Sequence, residues 1–238
     1  MSCIISERQK AILYKMIEVY VRNAEPVSSQ FLFQHYDFGV SPATLRNECA
    51  ALEDADYLYQ PHTSAGRIPT DKGYRLFVNS LLNDRSGSNR KVHEVLDVWL
   101  KKSSAGSHFF SDGAKVLAGL SGDMVFMGAR DEKVFFNAGI HEVLRQPELE
   151  DARFRKKFGD IIDSFDAHTE ALLELIDESG YFVFIGKENP IGIAHDFSMI
   201  VSLCHTRVGE GLIVILGPKR MNYRRNVMIL NTLSDYYG

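Results

Sequence analysis

The segment Gln60-Pro-His-Thr-Ser-Ala-Gly-Arg-Ile-Pro-Thr-Asp-Lys-Gly-Tyr74 constrains the fold of this chain more than any other. Pro61 and Pro69 each lack a backbone donor and have a fixed φ, so a helix cannot run through either. What remains is a turn between two short extended arms, Tyr57 to Gln60 and Arg67 to Thr70, with free rotation confined to Ser64-Ala65-Gly66. The segment is predicted to be a stiff, glycine-tipped β-hairpin that presents Arg67 near its apex, a geometry suited to a phosphate or a minor groove.

The residues before the hairpin spell three helices. Ser6-x-x-Gln9 has capping-box spacing, and Ile12, Leu13, Met16, Ile17 and Tyr20 recur behind it at helical intervals up to about Asn23. Glu25-Pro26 breaks that helix, Ser28 can cap a short second one through Tyr36, and Asp37-Phe38-Gly39-Val40 is a turn. Ser41-Pro42 is a strong start signal for a third helix reaching about Ala55. Leu45, Cys49 and Leu52 fall on one side of it, and Ala43, Arg46, Asn47 and Ala50 on the other. The second side carries a guanidinium and an amide that can each bond a base edge bidentately, beside alanines that let the helix sink into a groove. Thr70-Asp71 then caps a fourth helix carrying Tyr74, Phe77, Val78, Leu81 and Leu82. Three helices, a hairpin and a closing helix make a winged helix-turn-helix, expected over residues 1–85.

Asn83-Asp-Arg-Ser-Gly-Ser-Asn89 is polar and turn-rich, and Val92, Val95, Leu96, Trp99 and Leu100 follow as an amphipathic stripe, so residues 86–112 are expected to be a linker and connector helix. Residues 113–238 mix periods: strands are expected at Met124 to Met127, Lys133 to Phe136, Tyr181 to Ile185, Met199 to His205 and Leu212 to Leu216. Helices are expected around Ile161 to Ile176 and from Met221 to Tyr236. The result is an α+β domain with a central antiparallel sheet.

A chain of 238 residues suffices for two such domains, and its 45% hydrophobic and 24% charged content is that of a soluble globular protein with no apolar run long enough to span a bilayer. The opening Met-Ser-Cys-Ile-Ile-Ser-Glu-Arg has no secretory pattern, so a cytoplasmic protein is expected. Cys3, Cys49 and Cys204 are widely spaced, form no Cys-x-x-Cys pair and are expected to be reduced thiols rather than metal ligands. The net charge of −4 gives no general attraction to nucleic acid, so any DNA binding must come from a local patch.

Each candidate residue also has an ordinary structural explanation. Arg46 and Asn47 could be solvated residues on an exposed helix, but a hairpin at the right distance favours base contacts, with Ser41, Ala43 and Thr44 beside them at the groove. Arg67 could close the hairpin by pairing with Asp71, and His62, Thr63 and Ser64 could satisfy the turn as readily as donate to phosphates. Lys219 and Arg220, at a strand end before a helix, are candidate anion-binding regulatory residues, and a turn with two solvated cations is the simpler reading. Cys204 and His205 are adjacent on a strand and face opposite ways, and His141-Glu142 has no second ligand at helical spacing. No enzyme, no metal and no cofactor is expected.

Ser41-Pro-Ala-Thr-Leu-Arg-Asn-Glu48 and Gln60-Pro-His-Thr-Ser-Ala-Gly-Arg-Ile-Pro-Thr-Asp-Lys-Gly-Tyr-Arg75 closely resemble the heat-inducible transcription repressor family HrcA. Leu144-x-Gln-Pro-Glu148, Ile185-Gly-Lys-Glu-Asn-Pro190 and Ile215-Leu-Gly-Pro-Lys-Arg-Met-Asn-Tyr223 resemble motifs of the same family's sensor domain, in the same order. The resemblance implies a winged helix-turn-helix joined by a helix to a GAF-like α+β domain. It also implies a homodimeric repressor of chaperone genes that binds a CIRCE-type inverted-repeat operator in double-stranded DNA. Such a repressor is kept active by a GroEL-type chaperonin and is released when heat-damaged protein occupies it. Members are usually longer, with the extra length between about Gly122 and Ala138, including an inserted dimerisation domain, and they carry glycine where this chain has Asp56. Two alternatives stay open: a ligand-sensing winged-helix regulator, and a shortened chaperonin-interacting relative without operator binding.

Overall fold

A computed structural model describes residues 5–62, 65–82, 89–102, 107–130, 134–174, 176, 180–206 and 209–236. The chain is α+β and separates into two compact units, Met1–Asn83 and Asp84–Gly238.

The first unit holds α1 (Glu7–Asn23), α2 (Ser29–His35), α3 (Pro42–Asp54), the two-residue strands β1 (Leu58–Tyr59) and β2 (Ile68–Pro69), and α4 (Asp71–Leu82). Its helices begin where the caps place them. Ser6 and Gln9 form the full capping box on α1, Ser28 accepts from the Phe31 amide, and Ser41 accepts from the Thr44 amide with Pro42 at the first helical position. Ile12, Leu13, Met16, Ile17, Leu32, Leu45, Cys49 and Leu52 are fully buried and make the three-helix core, which Tyr74, Phe77 and Val78 of α4 complete. β1 and β2 pair antiparallel, and Val27, between α1 and α2, adds a bridge to Arg67.

The second unit holds α5 (Arg90–Lys102), α6 (Ser107–Ser121), β3 (Met124–Ala129), β4 (Val134–Ala138), α7 (Ile140–Leu144), α8 (Ala152–Glu174), β5 (Gly180–Ile185), β6 (Phe197–Thr206), β7 (Gly209–Pro218) and α9 (Tyr223–Ser234). The expected connector helix is thus α5 of this unit; the polar stretch at 83–88 and the start of the strand expected at Lys133 lie outside the described residues. The five strands form one antiparallel sheet in the order β4-β3-β7-β6-β5, with β6 and β7 a long hairpin in register from Phe197↔Pro218 to Thr206↔Gly209.

Alternation along the strands gives the sheet two apolar faces. Phe126, Met199, Val201, Val214 and Leu216 lie in one core with Phe158, Ile161 and Phe165 of α8, where the Phe126 and Phe165 rings stack at 3.7 Å. Val125, Met127, Ile213 and Ile215 face the other way and are equally buried, toward the side that α6 covers. Two covered faces explain why the central strands are near-continuous apolar runs rather than alternating ones. α6 is the main element absent from the expectations. Its Phe109/Phe110, Ala114 and Leu117/Ala118 repeat has helical period, but its glycines and serines mask that period in the sequence.

Candidate nucleic-acid interface

The candidate site is a face of α3, a helix held at both ends by hydrogen bonds. α3 buries Leu45, Cys49 and Leu52 completely and leaves Ser41, Ala43, Arg46 and Asn47 exposed, with Thr44 half-buried. Arg46 and Asn47 make no side-chain hydrogen bond or ion pair with another described residue, so a planar cation and an amide stand ready for a ligand in the first two turns of the helix. That end also carries the positive pole of the helix dipole, which favours phosphate. The Ser41 and Thr44 hydroxyls lie 2.9 Å apart and Ser41 accepts from the Thr44 amide at 3.1 Å, so these two residues cap the helix. Both stand at the start of α3, and the role the geometry gives them is structural.

The far end of α3 is locked by the residues after the hairpin. The helix ends in a Schellman turn: Tyr57 N–H donates to Leu52 O and Asp56 N–H to Glu53 O, both at 2.9 Å, with Asp56 left-handed at φ +61°. The Thr70 hydroxyl donates to Asp56 O and accepts from the Gly73 amide, capping α4 while gripping the end of α3. Lys72 Nζ donates to Ala55 O at 2.7 Å and sits 4.4 Å from the Tyr57 ring centre, a cation at the negative pole of α3. Gly73 is required by packing, since a Cβ there would lie 2.3 Å from Tyr57 O.

The hairpin is held just as firmly at its base. Gln60 Nε2 donates to Ala65 O at 2.7 Å and the Ala65 amide to His62 O at 2.8 Å, closing the turn. Val27 and Arg67 exchange both backbone hydrogen bonds, and a Cβ on Gly66 would meet the Val27 carbonyl carbon at 2.4 Å. Gly66 is therefore a point of close approach rather than a hinge. Arg67 lies at the root of the hairpin and not at its apex: its Nε donates to Glu53 Oε2 at 2.8 Å, and its side chain is 15% exposed. Glu53 on α3, rather than Asp71 at the start of α4, takes this arginine. His62 is exposed at the tip. Thr63 and Ser64, expected beside it, lie outside the described residues. Residues 5–82 carry 8 Lys and Arg against 9 Asp and Glu, so the unit has no general surplus of positive charge.

In the second unit the motif residues build structure. Arg220 is 8% exposed and is not a solvated cation. Its Nε and a terminal nitrogen clamp both Glu148 oxygens at 2.6 and 3.0 Å, and that terminal nitrogen also donates to Gln146 Oε1 at 2.7 Å. A guanidinium held in this way ties the turn before α9 to the segment after α7. Lys219 is half-buried and its carbonyl accepts from the Tyr223 hydroxyl. Asn189, 4% exposed, donates its amide to Gly186 O, Ala194 O and Phe197 O and so holds the loop between β5 and β6.

Among the described residues no group of His, Cys, Asp and Glu is placed to hold a metal ion, and no helix is long and apolar enough to cross a membrane. The Cys204 thiol is pushed up to about 12 by burial, which removes it as a nucleophile at neutral pH. His205 continues β6.

Residues 75–227 match the family model for the HrcA protein C terminal domain. The chain belongs to the HrcA family. A protein named heat-inducible transcription repressor HrcA from Nocardioides sp. is 51% identical over 94 residues, covering 38% of this chain and 28% of that one. One of the same name from Cyanothece sp. is 42% identical over 119 residues, covering 50% and 33%. The matched stretch thus spans about a third or less of those HrcA relatives. A solved structure described as a hypothetical protein at 2.2 Å resolution shares the fold, with a TM-score of 0.75 over 98% of both chains at 22% identity.

Proposed function

We propose that this HrcA-family chain is a DNA-binding transcription repressor, with residues 1–85 as a winged helix-turn-helix and residues 113–238 as a GAF-like regulatory domain reached through 86–112. The observation that carries the reading is the unpartnered pair Arg46 and Asn47 on the exposed N-terminal face of a helix whose other face and far end are fully fixed. Such a helix enters a major groove as a rigid body, and only its free side chains are left to choose a sequence.

In this account Arg46 takes a guanine edge and Asn47 an adenine edge, while Ala43 keeps the approach close. Ser41 and Thr44 sit at the groove rim, and His62, Thr63 and Ser64 follow the backbone from the wing. Balanced charge makes one such unit a weak binder, so tight binding needs two units of a homodimer on the two halves of an inverted repeat, about 34 Å or a multiple apart. The relatives' name, heat-inducible transcription repressor, supports a role in the heat response, with chaperone genes as the proposed target and a GroEL-type chaperonin as the proposed modulator.

Arg46→Ala tests the reading. In a fluorescence-anisotropy titration the variant should lose about 1–3 kcal/mol on the inverted-repeat duplex and much less on a scrambled one. An unchanged preference between the duplexes would remove Arg46 as a reader of bases.

A further inference from the structure

Glu53 lies two helical turns beyond Arg46 on α3, on the stripe that carries Ala43, Arg46 and Ala50 toward the proposed groove. A carboxylate at this position is a liability for DNA binding, because phosphates within a Debye length repel it. Its 32% exposed side chain is held by Arg67, and the Arg67 backbone is itself pinned to Val27 by two hydrogen bonds. Gly66, pressed against Pro26 and Val27, fixes the chain just before it.

We propose that Arg67 serves DNA binding as a positioning residue that acts through Glu53, neutralising that carboxylate, and does not touch a phosphate. This rests on the operator-binding reading above. It assigns the arginine of the hairpin a role opposite to the one its sequence position implies: it removes a repulsion instead of adding an attraction.

The test uses the full chain in four forms: wild type, Arg67→Met, Glu53→Gln, and the double variant Arg67→Met/Glu53→Gln. Each is titrated onto a labelled inverted-repeat duplex and a scrambled duplex at several salt concentrations, with a melting curve taken alongside. Arg67→Met should weaken binding about tenfold, because Glu53 is left unpaired beside the phosphates. The double variant should regain wild-type affinity within about threefold and keep the wild-type salt dependence, since no phosphate contact has been lost.

The double variant leaves no unpaired charge, so it decides the matter even where Arg67→Met alone is too unstable to assay. A double variant that stays as weak as Arg67→Met, with a salt slope shallower by about one contact, makes Arg67 a direct phosphate ligand and overturns the proposal. Wild-type protein with no preference between the duplexes overturns the operator reading itself, and this inference with it. A wild-type preference that the double variant fails to regain overturns the inference alone.

Discussion

Asp123 gives the second unit a pH-dependent stability that a single substitution should remove. It lies between α6 and β3, 2% exposed, and accepts a hydrogen bond from Asn226 Nδ2 of α9 at 2.8 Å. Burial pushes its carboxyl up to about 6, against the opposing pull of the Asn226 bond and of the Arg225 and Arg220 charges. An unfolded aspartate titrates near 3.9, so the difference of roughly two pH units corresponds to about 3 kcal/mol. The sign follows from proton uptake: between about pH 4 and pH 6 the folded state holds more protons than the unfolded one. Asp123 therefore contributes fully below about pH 4, and its contribution is lost as pH rises through about 6.

Asp123→Asn is neutral throughout and keeps an oxygen for the Asn226 amide. Its own amide can be offered to Asn226 Oδ1, a buried atom with no hydrogen-bond partner among the described residues. The variant should match wild type near pH 4 and exceed it by up to about 3 kcal/mol at pH 7.5. Urea unfolding followed by the fluorescence of Trp99, the chain's single tryptophan and 4% exposed in the same unit, reads this unit directly. Other carboxylates contribute equally to both proteins, so the difference between the two curves isolates residue 123. Curves that stay parallel from pH 4.5 to 8 would refute the reasoning.

Two further substitutions test how the units are held. Asp56→Gly relieves a left-handed non-glycine residue at the end of α3 and should stabilise the first unit by about 1 kcal/mol; circular dichroism melts of the full chain showing a loss instead would contradict the Schellman-turn account. Arg220→Met leaves Glu148 without its bidentate partner and should cost about 3 kcal/mol by Trp99-monitored unfolding. Arg220→Met/Glu148→Leu should recover most of that loss, and a double variant as unstable as the single one would show that the pair is not the source.

Local signals were legible in the sequence because their physics is local. Ser6-x-x-Gln9, Ser28 and Ser41-Pro42 announce helix starts through bonds made within one turn, and each does so in the structure. The apolar runs of β3, β6 and β7 announce strands because both faces of the sheet are covered. Long-range partners were not legible. Glu53 takes Arg67 from another element, and Glu148 takes Arg220 across 72 positions, where no spacing rule reaches. The hairpin motif is a case of both. Its prolines and glycine mark a turn, but Gln60, Gly66, Arg67, Thr70, Lys72 and Gly73 turn out to hold the end of α3 and the root of the hairpin. The residues left free, Arg46 and Asn47, are marked in sequence only by which face of α3 they share.

The most direct measurement is an anisotropy titration of the wild-type chain against labelled inverted-repeat and scrambled duplexes at two salt concentrations, with the mass of the complex determined on the same samples. The account predicts a preference for the inverted repeat of at least about a hundredfold, a steep loss of affinity with salt, and two chains per duplex. Equal affinity for both duplexes would contradict it.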